Sequence, residues 1–296
     1  MSSRANLAAP PAFTLPTTLP CPATSDATAT VALPPPATPS YYDIATDFPN
    51  CTVATVSSVL YVPIFVLTRD RVLALQRSLE SYWQTLPSGS YEIIILDHNS
   101  TYPPMLDYLR VLQTQHSITV HTLTALVWDD ALAQADNLMQ DYLQEHPDVE
   151  YYVLTDPDIA LVRTAPDILL YFAAILAACP DVQVIGPHLQ ISDLPRRFTK
   201  LYQNNYSAYE WESQYWKVVP HMATWRGVGF HIADQLIDTT FALRRRATRF
   251  GRITCPCLRT YAPYTAVHLD WYLNSSALPP DKQWYLSRSW GGVNNW

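Results

Sequence analysis

Between Leu60 and Gly186 the chain alternates short, unbroken apolar runs with longer stretches of helical period, and few folds accommodate that rhythm. Leu60-Tyr61-Val62-Pro63-Ile64-Phe65-Val66-Leu67 carries no charge, so as a strand it needs cover on both faces. Strand-like runs, mostly apolar, also lie at 91–96, 118–123, 151–155 and 182–186. Between them, Leu75, Leu79 and Tyr82 follow Asp70 at helical spacing, and Met105, Leu109 and Leu112 follow Pro103. Residues 130–143 and 165–178 continue the alternation. The pattern predicts an α/β fold, a mostly parallel sheet with helices on both faces. Asp70 reads as the N-cap of the first helix, which stops before Pro87-Ser88-Gly89. After Gly186 the rhythm weakens. Residues 188–235 are rich in Tyr, Trp and His, 237–243 regain strand character, and the tail from Arg259 reads as an aromatic loop.

Residues 1–57 are rich in Pro, Ala, Thr and Ser and bury too little apolar surface to offset their ordering entropy, so they read as a flexible arm. Residues 58–296 read as one domain, with 58–160 carrying the regular sheet and 161–296 the aromatic-rich remainder. The net charge of −7 and only three lysines argue against a surface that coats nucleic acid. No apolar stretch approaches the roughly 20 residues that span a bilayer, and the N-terminus lacks the apolar block of a secretory signal. Four Asn-x-Ser/Thr sequons, at Asn50, Asn99, Asn205 and Asn274, mean little without a secretory route. A cytoplasmic protein is expected. Cys255-Pro256-Cys257 is too tightly spaced for a zinc knuckle, and the five cysteines read as reduced thiols, with a disulfide at Cys51 as the alternative.

Function in open α/β sheets sits at the carboxyl ends of strands, and three of those ends are polar here. The first gives Thr68-Arg69-Asp70-Arg71, where a helix N-terminus and arginines suit an anion. The second gives Asp97-His98-Asn99-Ser100-Thr101, where an acid can accept from a ribose hydroxyl or a base N–H. The fourth gives Asp156-Pro157-Asp158. On an extended segment these two carboxylates point to the same side, and a divalent cation is the usual remedy for paired buried charges. Such a cation keeps open positions that substrate phosphates fill. A plainer reading makes Asp158 the N-cap of a helix starting near Ile159.

These three segments, with Leu79-Glu80-Ser81, the stretch Ile185 to Pro195, Ile237-Asp238-Thr239-Thr240-Phe241-Ala242-Leu243, Ala262-Pro263-Tyr264 and His268-Leu269-Asp270-Trp271-Tyr272, resemble a GT-A-type glycosyltransferase of a bacterial and viral group, over roughly residues 60 to 290. The resemblance implies Mn2+ or Mg2+ as cofactor, a nucleotide-diphosphate sugar (a UDP-sugar) as donor and a glycan as acceptor. It places Thr68 and Arg69 near the nucleobase and diphosphate, and Asp97 at the uracil or ribose. Asp156 and Asp158 match the Asp-x-Asp motif, Asp158 as the more direct metal ligand, and His268 the late histidine that completes metal or diphosphate binding. His98 stands where the family often has a small residue.

Breaking a sugar–phosphate bond leaves negative charge on a nucleoside diphosphate, which a cation stabilises. Inversion at the sugar further needs a carboxylate to take the acceptor's proton. The candidates are Asp193, Glu212 and Asp238, whose plainer readings are a loop cap, a salt-bridge partner and a turn residue; retention would need no such base. Tyr206, Tyr209, Trp211, Tyr215, Trp216 and Trp225 form a candidate acceptor platform, because aromatic faces stack on sugar C–H faces; a second aromatic core is the alternative. A sugar nucleotidyltransferase would share the sheet and the carboxylates. It usually carries a Gly-rich phosphate loop after the first strand, and Leu67 to Arg71 contains no glycine. A non-catalytic carbohydrate-binding protein on the same fold is the remaining alternative.

Overall fold

The computed structural model describes residues 60–125, 128–195, 207–218, 220–225, 228–235, 237, 240–249 and 257–288. The arm at 1–57 and the candidate base Asp238 lie outside the described residues. Five elements follow the expected alternation closely: β1 (Val62–Thr68), α1 (Val72–Thr85), β2 (Tyr91–Asp97), α2 (Pro103–Gln115) and β3 (Thr119–Thr122). Next come α3 (Trp128–Glu145), β4 (Tyr151–Thr155), a short β5 (Ile159–Ala160), α4 (Ile168–Ala178) and β6 (Val184–Leu189). Beyond these lie α5 (Ala208–Trp216), β7 (His221–Trp225), β8 (Val228–Asp234), β9 (Ala242–Arg245), β10 (Cys257–His268), a 3-10 turn (Leu269–Tyr272) and α6 (Pro280–Arg288).

The strands form one sheet in the order β3-β2-β1-β4-β9-β6-β10-β8-β7, with β5 pairing β10. The β3-β2-β1-β4 half is parallel. Alternate residues of β1 serve opposite faces. Val62, Ile64 and Val66 pack with Leu75, Leu79 and Tyr82 of α1. Phe65 and Leu67 pack with Ala131, Ala135, Met139 and Leu143 of α3. Both faces of β1 are therefore covered, which is why its sequence is apolar throughout.

Direction is where expectation and structure part. β9 runs antiparallel to both β4 and β6, and β8 runs antiparallel to β10 and β7. A buried strand reads as the same apolar run in either direction, so periodicity leaves direction open. Strand β9 begins at Ala242, later than the expected 237–243, because Phe241 adopts a positive φ of 55° and turns the chain. Its ring then packs 5.1 Å from that of Tyr82. The tail expected as a loop holds the longest strand, β10. Pro263 disguises it: the residue lies in the register break between Thr260 and Thr265, a bulge that removes the need for its missing N–H.

Two further expectations are corrected. Cys179, at the C-terminus of α4, and Cys257, at the start of β10, are disulfide-bonded rather than reduced. Sequence spacing considers neighbours only, whereas folding brings distant thiols within reach. No helix among the described residues is long and apolar enough to cross a membrane. Asp70 does not cap its own helix; Arg71 occupies the N-cap of α1 with no side-chain cap. The Asp70 carboxylate instead accepts from the N–H groups of Thr101 (2.6 Å) and Tyr102 (2.7 Å), tying the end of β1 to the start of α2.

Candidate functional site at the strand ends

Thr68 pairs in register with Asp97, and Val66 with Thr155, so the polar ends of β2, β1 and β4 lie side by side. Thr68 is buried, and its hydroxyl has no hydrogen-bond partner among the described residues. The Asp97 carboxylate accepts from the Ser100 N–H at 3.2 Å and from the Ser100 hydroxyl. Burial raises its pKa, and the bonds from Ser100 offset only part of that rise. His98 is also buried, with Nε2 3.1 Å from the Ala125 carbonyl oxygen. Burial, with a contribution from Arg69, lowers its pKa and favours the neutral ring. Asn99, with φ 51°, is the left-handed residue that turns the chain toward α2.

The Asp-Pro-Asp turn is held by α1. Tyr82 donates its hydroxyl to the Ile159 carbonyl at 2.7 Å, Ser81 Oγ accepts from the Leu161 N–H at 2.9 Å, and Thr85 donates to the Leu161 carbonyl at 2.9 Å. These bonds draw 159–161 across α1 as an extended segment, so the plainer reading, a helix capped by Asp158, does not hold. Residues 159–160 pair antiparallel with β10, His268 opposite Ile159 and Val267 opposite Ala160. The Leu269 N–H adds a bond to the Asp158 carbonyl at 2.8 Å.

This ladder brings together two residues 110 positions apart in sequence (268 minus 158). His268 Nδ1 lies 3.6 Å from Asp158 Oδ2, both side chains being largely buried, and the imidazole stacks on Trp271 at 4.6 Å and 3°. That separation is an ion-pair distance, longer than a hydrogen bond. Asp156 is only half-buried at the rim of the same turn. Among the described residues, no group of three or more His, Cys, Asp and Glu side chains is arranged to hold a metal ion.

Behind this pair lies a buried ionic cluster that sequence reading missed. Arg71 donates both terminal nitrogens to Asp270, Nη1 reaching Oδ2 at 2.7 Å, and Lys282 Nζ donates to the same Oδ2 at 2.6 Å. Asp281 accepts from the Leu73 N–H at 3.0 Å and so caps α1 from a different helix. Burial pulls the Arg71 pKa down, but Asp270 outweighs it and the net shift is upward. Burial would raise Asp270; Arg71 and Lys282 instead hold it well below the usual carboxylate range. Burial lowers Lys282, against the opposing pull of Asp270. Tyr285 lies beside Arg71 and Lys282, with its hydroxyl pushed up to about 12, chiefly by burial. The sequence signal is weak: Asp281, Lys282 and Arg288 in a nine-residue helix form no motif.

The three candidate bases fare differently. Asp193 is exposed, accepts a 2.7 Å bond from the Tyr272 hydroxyl and lies 3.8 Å from Arg163. Glu212 is buried, paired with Arg259 at 2.8 Å, and accepts from the Leu189 N–H at 3.3 Å, as its salt-bridge reading describes. Asp238 is outside the described residues.

Of the aromatic segment, Tyr209, Trp211, Tyr215 and Trp216 are described, and all four are half-buried. Tyr209 and Trp216 pack on the main core, and Trp216 donates its indole N–H to the Leu189 carbonyl at 3.0 Å. Trp211 and Tyr215 meet edge to face, and Tyr215 lies 4.2 Å from the Arg259 guanidinium. Tyr206 and the side chain of Trp225 are outside the described residues. His188 sits within this cluster, 4.3 Å from Tyr261 and 4.9 Å from Trp216. Burial, reinforced by Arg259, holds its pKa at about 3. The unfolded chain therefore binds a proton below about pH 6.5 that the folded chain refuses, and stability falls as pH drops from there toward 3. Urea unfolding between pH 5 and 6.5 should show a slope of up to about 1.4 kcal/mol per pH unit from this residue, flattened in His188→Gln.

No family model and no curated protein sequence matches the chain. Among solved structures, it is similar to the mannosyltransferase PcManGT from Pyrobaculum calidifontis in complex with GDP-Man and Mn2+, with 20% identity over 50% of this chain and 42% of that one, at a TM-score of 0.35. It is similar to S. aureus TarS 1-349 at 14% identity over 64% of this chain and 47% of that one, with a TM-score of 0.35. It is also similar to glucosyl-3-phosphoglycerate synthase from Mycobacterium tuberculosis, at 13% identity over 45% of both chains and a TM-score of 0.31. In each case the match spans less than half of the solved chain. These likenesses are partial, and the functional reading rests on the geometry of the strand ends.

Proposed function

We propose that the chain is a metal-dependent glycosyltransferase that moves a sugar from a nucleotide-diphosphate sugar, a UDP-sugar, to a glycan acceptor. The observation that carries this reading is the meeting of Asp158 and His268 beside the ends of β1 and β2. Two ligands of one octahedral cation at about 2.1 Å each lie roughly 3 Å apart, and the 3.6 Å between Asp158 Oδ2 and His268 Nδ1 is close to that. Charge supports the same assignment. Arg71 and Lys282 sit with Asp158, Asp270 and Asp281, two positive charges against three negative, and a cation would offset the excess. Asp158 and His268, with Asp156 at the rim, would hold Mn2+ or Mg2+ and leave the remaining positions to phosphate oxygens and water. When bound, the cation stabilises the charge that develops on the departing diphosphate.

The protein's own residues account for the rest. Thr68 offers a buried hydroxyl that has no partner among the described residues, and Asp97, at the same level of the sheet, an acceptor for a ribose hydroxyl or a base N–H. Arg69 lies beside both as the charge nearest a diphosphate. Asp193 is the proposed base. It is the exposed candidate among those described, and its partner Tyr272 closes the turn that begins after His268.

The test is release of UDP, GDP or CMP from a panel of the corresponding nucleotide sugars, with Mn2+ or with EDTA. One donor should be turned over with Mn2+ and chelation should abolish the release; Asp193→Asn should lower kcat and leave donor binding unchanged. Turnover that persists in EDTA, or none with any donor by folded protein, would contradict the reading.

A further inference from the structure

The cluster behind the Asp158–His268 pair does more than join two helices. Asp270, Lys282 and Arg71 are all buried, and each charge is held by a direct partner. Stability alone does not call for such an arrangement, since well-packed apolar side chains of similar volume often serve as well or better. The cluster's place suggests another use. Asp270 lies two residues after His268, inside the 3-10 turn Leu269–Tyr272, whose Trp271 packs in the main core and whose Tyr272 bonds Asp193. The turn's entry is fixed by the Leu269 N–H on the Asp158 carbonyl and its body by the Asp270 carboxylate, gripped by Arg71 from the start of α1 and by Lys282 from α6. Trp271, next in the turn, forms the face on which the His268 ring lies. The orientation of His268 toward Asp158 thus depends on where the turn is pinned.

We infer that Asp270, held in the fork of Arg71 and by Lys282, is the positioning residue that orients His268 for cation binding, so that the docking of α6 and the assembly of the cation site are one event. The inference rests on the functional reading above. Residues that orient a metal-binding histidine typically change metal affinity by 10- to 100-fold when lost, although they never touch the ion. Arg71 suits the role better than lysine would, because its two parallel donors fix direction as well as distance.

A double-mutant cycle on Mn2+ binding tests this, with free Mn2+ read by electron paramagnetic resonance in the presence of UDP. Asp270→Asn should weaken Mn2+ binding about tenfold in an otherwise native chain. In a His268→Ala background the same change should cause no further loss, because the residue it acts through is gone. Arg71→Lys keeps the charge and removes the fork, and should show the same dependence on His268 with a smaller loss; it carries the test if Asp270→Asn fails to fold. Equal losses in both backgrounds, or none in either, would overturn the positioning role while leaving the functional reading intact. A wild-type chain that binds no Mn2+ with UDP would remove both.

Discussion

Asp158→Asn is expected to lower kcat by about 100- to 1,000-fold while leaving the fold in place, measured as transfer rate at saturating donor and Mn2+ alongside the thermal midpoint. The expectation follows from how little else the Asp158 side chain does. Its backbone carbonyl bonds Leu269, and the neighbouring strand is held by Tyr82, Ser81 and Thr85, none of them through the carboxylate. The amide that replaces it keeps the shape of the turn and removes one negative charge from beside His268. A merely structural aspartate would show the reverse, a lower midpoint with activity per folded molecule preserved.

Glu212→Ala is expected to show that reverse pattern. The Glu212–Arg259 pair is buried, with 2% and 5% of the side chains exposed, so removing the acid strands a guanidinium in the core. Breaking such a pair costs about 3–5 kcal/mol, which lowers the midpoint of a domain this size by roughly 10 °C. Replacing both partners with apolar residues, Glu212→Leu with Arg259→Met, should recover most of that loss, because neither charge is then left alone. Turnover per folded molecule should stay near wild type in the double variant. Loss of kcat there, with stability restored, would return Glu212 to the list of catalytic bases.

These two acids show what was legible in the sequence and what was not. Asp158 could be found because its signal is local: an apolar run that ends in two carboxylates one residue apart. The parallel half of the sheet was legible for the same reason, each strand declaring itself in four to seven consecutive residues. Glu212 looked identical to a catalytic acid in sequence, since its partner Arg259 is 47 residues away and is met only when α5 packs beside β10. Direction of pairing was hidden at β9, where burial on both faces erases the alternation that register would otherwise leave. Strand β10 was hidden by Pro263, whose cost vanishes in the bulge. The Arg71–Asp270–Lys282 cluster joins three segments separated by up to 211 positions (282 minus 71), and nothing in any one of them announces the other two.

The most direct test of the central claim is calorimetric binding of UDP to the wild-type chain, titrated once with Mn2+ and once with EDTA. Binding should require the cation and should be weakened, though still saturable, in Asp158→Asn. Nucleotide binding of equal strength in EDTA, or no binding by the folded protein under either condition, would contradict that claim.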